Sequence, residues 1–201
     1  NAAFGKYALR ANTTASYNTA VGGGALESNT TGGNNTATGF QALLSNTTGT
    51  KNVCIGYGAG DAITTGSNNT IIGDYAGSTT LADTIVLASG TTERMRIDSS
   101  GHAIFGGNVT AYSDERLKSD IKTLDGKKVL QMRGVSFTKD GEEGSGVIAQ
   151  ELEKVAPELV FDGEYKSVAY GNLVGYLIEN AKEQQKEIDE LKVLVKQLLE
   201  A

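Results

Sequence analysis

Apolar side chains are sparse in the first eighty residues, and they return in step with asparagine, glycine and alanine every 17 positions. Asn1, Asn18, Asn35, Asn52 and Asn69 open successive units. Three positions on stands an apolar or β-branched residue (Phe4, Val21, Thr38, Ile55, Ile72), four on a glycine (Gly5, Gly22, Gly39, Gly56, Gly73), and seven on an alanine (Ala8, Ala25, Ala42, Ala59, Ala76). A period this short marks stacked coils, each too small to bury a face of its own. Runs such as Asn-Val-Cys-Ile-Gly have strand length, and Asn-Thr-Thr-Gly supplies a turn. Glycine at a fixed place implies positive φ or close backbone approach, and alanine at a fixed place implies a crowded axis. The pattern predicts a mainly β repeat over residues 1–80, either a β-roll or a triple β-helix shaft.

From about 81 to 113 the pattern changes to short alternating runs, Thr84 to Ala88 and Met95 to Asp98, broken at Ser89-Gly90, Ser99 to Gly101 and Gly106-Gly107. These read as β-hairpins or a meander capping the stack, with Glu93, Arg94, Arg96 and Asp98 as cross-strand pairs. Beyond this connector, residues 114–201 read as a small α+β domain. Leu117, Ile121 and Leu124 have helical spacing over 114–124, which suggests a short helix or a turn-rich lead-in, and Lys127 to Met132 suggests a second short helix. A strand at Val135 to Thr138 is followed by an Asp140-Gly141 turn and Gly144-Ser145-Gly146. A helix beginning near Val147 must end before Pro157, and Leu159 to Phe161 with Tyr165 to Val168 forms a second hairpin. One long helix occupies about 170–200. Its seam places Val174, Ala181, Ile188 and Val195 at heptad position a and Leu177, Gln184, Leu191 and Leu198 at d, which predicts a coiled coil. Glu187 at g would face Lys192 at e of a parallel neighbour. The competing expectation is an amphipathic helix packed on its own domain.

Charge follows the same division. Residues 1–80 hold six charged side chains and residues 114–201 hold thirty-one. The chain is 39% hydrophobic and 6% aromatic with 26 glycines, a composition that favours a repeat or an oligomer over a conventional single-chain core. A net charge of −6 argues against nucleic acid or an anionic membrane surface as partner, and no apolar run is long enough to suggest membrane insertion. The chain opens in mid-repeat without a signal peptide, which reads as a fragment of a longer polypeptide. One cysteine, Cys54, and one histidine, His102, cannot supply a structural zinc site, and no cofactor fingerprint is present. Gly56 to Gly60 imitates a phosphate loop without the P-loop Lys-Ser/Thr pair. Asn-x-Thr at Asn12, Asn29 and Asn46 recurs with the period, so turn capping explains it better than glycosylation. Tyr7, Tyr17, Phe40, Tyr57 and Tyr75 are expected to pack between coils, with an exposed ladder for a receptor or glycan as the alternative.

The reactive candidates lie where the two compositions meet. Ser113 precedes Lys118 by five residues, and a lysine can take a serine proton only if desolvation keeps it partly neutral. On spacing alone, Ser113 reads better as the cap of the following helix with Lys118 in solvent. Two stretches then carry a resemblance. Ser-Asp-Glu-Arg-Leu-Lys-Ser-Asp-Ile at 113–121 and Gly-Val-Ile-Ala-Gln-Glu-Leu-Glu-Lys-Val-Ala-Pro-Glu-Leu-Val at 146–160 resemble the C-terminal intramolecular chaperone domain of phage tail fibres and tail spikes. The repeat units resemble those of trimeric adhesin heads and fibre shafts. The first resemblance implies an intertwined homotrimer and a single-turnover, self-cleaving serine peptidase with Ser113 and Lys118 as its dyad. It further implies a virion tail fibre assembled in the host cytoplasm, with the chaperone domain released after cleavage. The family's strand near Val135 to Phe137 often carries tryptophan, and this chain has none.

The resemblance places the cut beside Ser113. The junction residues Tyr112, Ser113 and Asp114 leave two bonds open. Attack by Ser113 on the Tyr112 carbonyl passes through a five-membered ring, whereas attack on its own carbonyl needs a four-membered one. Cutting after Ser113 would need a neighbouring chain's serine or a water nucleophile. A non-enzymatic fibre tip that binds a host surface is the other reading. The heptads do not fix the strand number, because β-branched a with Leu at d leans to dimers while the resemblance implies trimers. Gln184 at d would serve as a register pin.

Overall fold

A computed structural model describes residues 1–139 and 141–200 and divides the chain into two compact units, Asn1–Tyr112 and Ser113–Ala201. In the first unit, β1 (Ala2–Phe4), β2 (Thr19–Val21), β3 (Thr36–Thr38), β4 (Val53–Ile55) and β5 (Thr70–Ile72) pair in parallel, each with the residue 17 further on. The repeat is therefore a solenoid of about five coils whose strands pair within one chain, which selects the β-roll over strands interleaved from three chains. β6 (Ile85–Ser89) continues the stack at a spacing of 15, and β7 (Thr92–Ile97) and β8 (Ala103–Phe105) close it as an antiparallel meander. Arg96 pairs with Glu93 along its own strand rather than across strands, because a register shift leaves Arg94 as an extra residue in β7 between them. Asp98 instead accepts hydrogen bonds from its own turn, from the backbone of Ser100 and His102.

The periodic residues account for the coil. The strand centres Ala20, Ala37, Cys54, Ile71 and Val86 are fully buried in one column, and burial pushes the Cys54 thiol up to about 12, far from the thiolate needed for reactivity. The asparagine column forms a ladder. Asn35 Oδ1 accepts from the Asn52 backbone N–H at 2.9 Å, and its Nδ2 donates to the Gly49 carbonyl at 2.9 Å; Asn18 and Asn52 repeat the arrangement. Each amide thus satisfies one buried donor and one buried acceptor that no strand reaches. Asn35→Ala is expected to orphan both and cost about 2–4 kcal/mol, read as a fall in the thermal midpoint of the repeat unit.

A second ladder runs through Asn12, Asn29 and Asn46, each Nδ2 donating to the turn carbonyl three residues on. The next position in register is Ile63, so the Asn46 Oδ1 receives no donor. Packing explains the interruption. The buried column Leu9, Leu26, Leu43 gives way to Gly60 and Gly77, and the volume lost there is refilled by Ile63 and by the larger strand centres Cys54 and Ile71. These three leucines adopt positive φ (54°, 51° and 52°), a strained conformation for a branched side chain that their burial holds in place. Burial of Asn29 and Asn46 leaves neither open to glycosylation in the folded unit.

The expected packing of aromatic rings between coils does not occur at most positions. Tyr7, Tyr17, Phe40 and Tyr57 face solvent, because the interior is filled by the alanine, leucine and asparagine columns and these rings fall on the outer side of the turns, whereas Tyr75 packs partly buried against the core. On the strands, the outward column Phe4, Val21, Ile55, Ile72 and Leu87 is likewise exposed.

In the second unit the turn-rich lead-in, rather than the short helix, is found over 114–124. A 3-10 turn at Glu115–Leu117 is followed by an extended Lys118 and by Asp120 at φ 52°, so Leu117, Ile121 and Leu124 are exposed. One turn without a surface to pack on does not repay helix nucleation. A 3-10 helix at Gly126–Gln131 leads to the antiparallel pair β9 (Gly134–Lys139) and β10 (Glu142–Val147). Gly144 to Gly146 lies inside β10, where Phe137 covers Gly144 and the Tyr170 hydroxyl approaches Gly146. Gly141 at φ 88° turns the hairpin; the Asp140 half of that expected turn lies outside the described residues. A short α1 (Ala149–Leu152) ends before Pro157 as expected, and β11 (Val160–Phe161) pairs with β12 (Ser167–Val168). Leu152, Ala156, Leu159 and Tyr176 form the core. Tyr176 is the contribution of α2 (Leu173–Leu199), and its hydroxyl donates to Glu158. No helix among the described residues is long and apolar enough to cross a membrane.

Candidate functional site

The chain leading to Ser113 forms no helix or strand after β8, and Tyr112 is almost completely exposed. At this point Asp114, not Ser113, caps the 3-10 turn. Its carboxylate accepts from the Arg116 backbone N–H at 2.9 Å and from the Arg116 guanidinium at 2.6 Å and 3.0 Å. The guanidinium, aided by the backbone bond, holds the Asp114 carboxyl below its usual range. Because Asp114 fills the capping position, the Ser113 hydroxyl is released from that duty. The turn then reverses the chain and brings Lys118 Nζ to 2.7 Å from Ser113 Oγ. The two predicted dyad residues are therefore in hydrogen-bond contact, the geometry in which an amine can take a hydroxyl proton. Both are exposed, so the desolvation that such a lysine needs is not supplied by the unit's own core. The junction residues Tyr112, Ser113 and Asp114 are all accessible, and the Ser113 hydroxyl is placed beside them.

The predicted association residues lie on α2. Val174, Leu177, Ala181, Gln184, Ile188, Leu191, Val195 and Leu198 are all exposed on one seam. The sequence reading missed a neighbouring stripe. Leu173, Tyr176, Asn180 and Glu183 face their own unit, and Asn180 Nδ2 donates to the Gly126 carbonyl. This stripe has the same alternation of three and four and is offset by one residue, about 100° around the helix. Tyr176 and Asn180, an aromatic and a polar residue at helical spacing, were its only signal. The amphipathic helix packed on its own domain is thus realised at this stripe, while the heptad seam is left exposed on the adjacent face. Past Glu183 every side chain of α2 is exposed, so its last turns carry an apolar seam with no cover from the chain. No group of three or more His, Cys, Asp or Glu side chains that could hold a metal ion occurs among the described residues.

Comparison with known proteins places this geometry in context. Residues 113–161 match a peptidase family described as the chaperone of endosialidase, and the match begins at Ser113 itself. The chain is 35% identical over 117 residues to the long tail fiber protein Gp37 of Salmonella phage S16. That similarity covers 49% of this chain and 15% of the phage protein, so the chain spans only a small part of its relative's length. The likeness to the C-terminal chaperone domain of phage tail fibres, read first from two short motifs, is thus carried by a matching family segment and by a tail-fibre relative.

Proposed function

We propose that residues 113–201 are the trimerisation and folding chaperone of a phage tail fibre, and that they are released by a cut beside Ser113. The observation that carries this reading is the 2.7 Å contact between Ser113 Oγ and Lys118 Nζ at the first residues of the family match. In the proposed reaction, Lys118 removes the hydroxyl proton as Oγ bonds to a junction carbonyl carbon. Backbone amides stabilise the oxyanion, the C–N bond breaks, and the leaving amine takes the proton back from Lys118. Water then hydrolyses the ester. For the Tyr112–Ser113 bond, the freed amine is that of Ser113.

Association is the step that completes this site. Exposed Leu117, Ile121 and Tyr112 flank the dyad, and the seam of α2 is bare. Apolar surface of this kind is covered when copies assemble, and covering it would desolvate Lys118 and lower its proton affinity. Cleavage would then follow trimerisation. Leu191→Glu tests the association. Leu191 is exposed, so the variant should keep its fold but lose roughly 1.5–3 kcal/mol of seam burial per copy and place a charge in it. Sedimentation should report a trimer for the parent and a monomer for the variant, which should also remain uncut. A parent that sediments as a monomer would overturn the trimer.

The runner-up, a fibre tip whose repeats bind a host surface without any cut, draws support from the exposed rings of the solenoid. It predicts cell or glycan binding by the uncut chain.

A further inference from the structure

Two tyrosines at the turns of the solenoid hold an arginine between their ring and a carboxylate. The Arg10 guanidinium lies 4.9 Å from the Tyr7 ring centre and pairs with Glu27 at 2.6 Å. The Arg96 guanidinium lies 5.6 Å from the Tyr75 ring centre and pairs with Glu93, while its Nη2 donates to the Tyr75 hydroxyl at 2.7 Å. In each case the negative ring face and the carboxylate act on a guanidinium, and the Tyr7 ring also takes Lys6 Nζ, 4.7 Å from its centre.

A third set has the ring and the carboxylates but no basic partner. Phe40 and Tyr57 occupy the same column on successive coils, with ring centres 5.5 Å apart and planes at 21°, and are 51% and 61% exposed. Asp74 follows them in that column on the next coil. A Cβ placed on Gly58, the chain neighbour of Tyr57, would lie 3.0 Å from Asp74 Oδ1 and 3.6 Å from Asp61 Oδ2, so both carboxylates converge on that point. Among the described residues neither Asp61 nor Asp74 takes part in an ion pair. Partial burial, then the charge of Asp74, pushes the Asp61 carboxyl above its ordinary range.

The geometry points to a docking site for an arginine side chain of a protein partner, formed by Tyr57, Asp61 and Asp74 and completed from outside as Arg10 and Arg96 complete the other two. Arginine is favoured over lysine because a planar guanidinium can stack on Tyr57 and engage two carboxylate oxygens at once. The site lies in the first unit and is independent of any cut at Ser113.

The test titrates the full chain with tri-arginine, tri-lysine and tri-citrulline peptides and with glucosamine, following Tyr57 and the aspartate carboxyls by NMR. Tri-arginine should bind most tightly and shift these resonances. Asp61→Asn with Asp74→Asn should weaken it about tenfold or more, and Tyr57→Leu should also weaken it. Glu142→Gln with Glu143→Gln, which removes the same charge from the second unit, should leave binding unchanged. The Asp→Asn pair keeps side-chain shape and relieves repulsion, so circular dichroism should match the parent. Equal losses in the two charge variants would overturn the site, as would equal binding of tri-citrulline. Saturation of Tyr57 by glucosamine without arginine binding would also overturn the proposal.

Discussion

Gly39→Ala is expected to unfold the repeat unit or bring it close to unfolding. Gly39 sits at φ 137°, a conformation that L side chains rarely adopt, and a Cβ there would lie 2.1 Å from the Gly56 carbonyl oxygen on the next coil. Backbone cannot step aside, because that carbonyl belongs to a coil that is itself packed on the next, where a Cβ at Gly56 would lie 2.9 Å from the Gly73 carbonyl oxygen. The conformation alone costs about 1–3 kcal/mol, and forcing the coils apart adds to it by breaking the parallel ladder on both sides. A loss of at least about 3 kcal/mol corresponds to a fall of roughly 10 °C or more in the thermal midpoint. Gly107→Ala is the matched control, since a Cβ at Gly107 would meet nothing within 4 Å, and it should leave the midpoint unchanged. Equal midpoints for the two variants would contradict the close-packed coil.

The glycine column was legible for the same reason that it is vulnerable. A solenoid repeats one steric demand at every coil, so the demand appears in the sequence as a period. The asparagine ladder was legible as a position, but not as an interior ladder, because asparagine in a turn and asparagine buried between turns look alike in one dimension. The column Leu9, Leu26 and Leu43 was missed in the sequence, because nothing in the identity of these residues announces a positive φ. The rings failed in the opposite sense. Their burial was expected from their size, yet coils filled by alanine, leucine and asparagine leave no interior for them.

At the candidate site, spacing favoured Ser113 as a cap, and only the family resemblance favoured the nucleophile. The structure removes the cap reading, since Asp114 takes that position. Over 114–124 the turn-rich alternative prevails over the helix, because Leu117, Ile121 and Leu124 have helical spacing but lie on an exposed segment. On α2 the heptad seam concealed the inward stripe, because the two differ by a single residue and share the same alternation.

Ser113→Ala and Lys118→Ala should each lower the rate of the cut by about 10⁴-fold or more, because the members of a nucleophile and base pair act as a unit. Both side chains are exposed and touch little else, so folding and association should persist. Lys118→Arg separates chemistry from charge. Arginine keeps the positive charge and can donate to Ser113 Oγ, but it does not give up its proton and cannot serve as a base. If Lys118 accepts the Ser113 proton, Lys118→Arg should be as inert as Lys118→Ala. If its charge only orients the junction, Lys118→Arg should cut at close to the parent rate.

The most direct measurement is the intact mass of the purified parent chain beside that of Ser113→Ala, both taken from the assembled fraction. The account predicts two fragments that meet at Tyr112–Ser113 or Ser113–Asp114 for the parent, and one uncut 201-residue chain for the variant. A parent that assembles as a trimer and remains whole, or a Ser113→Ala chain that is cut at the same bond, would contradict it.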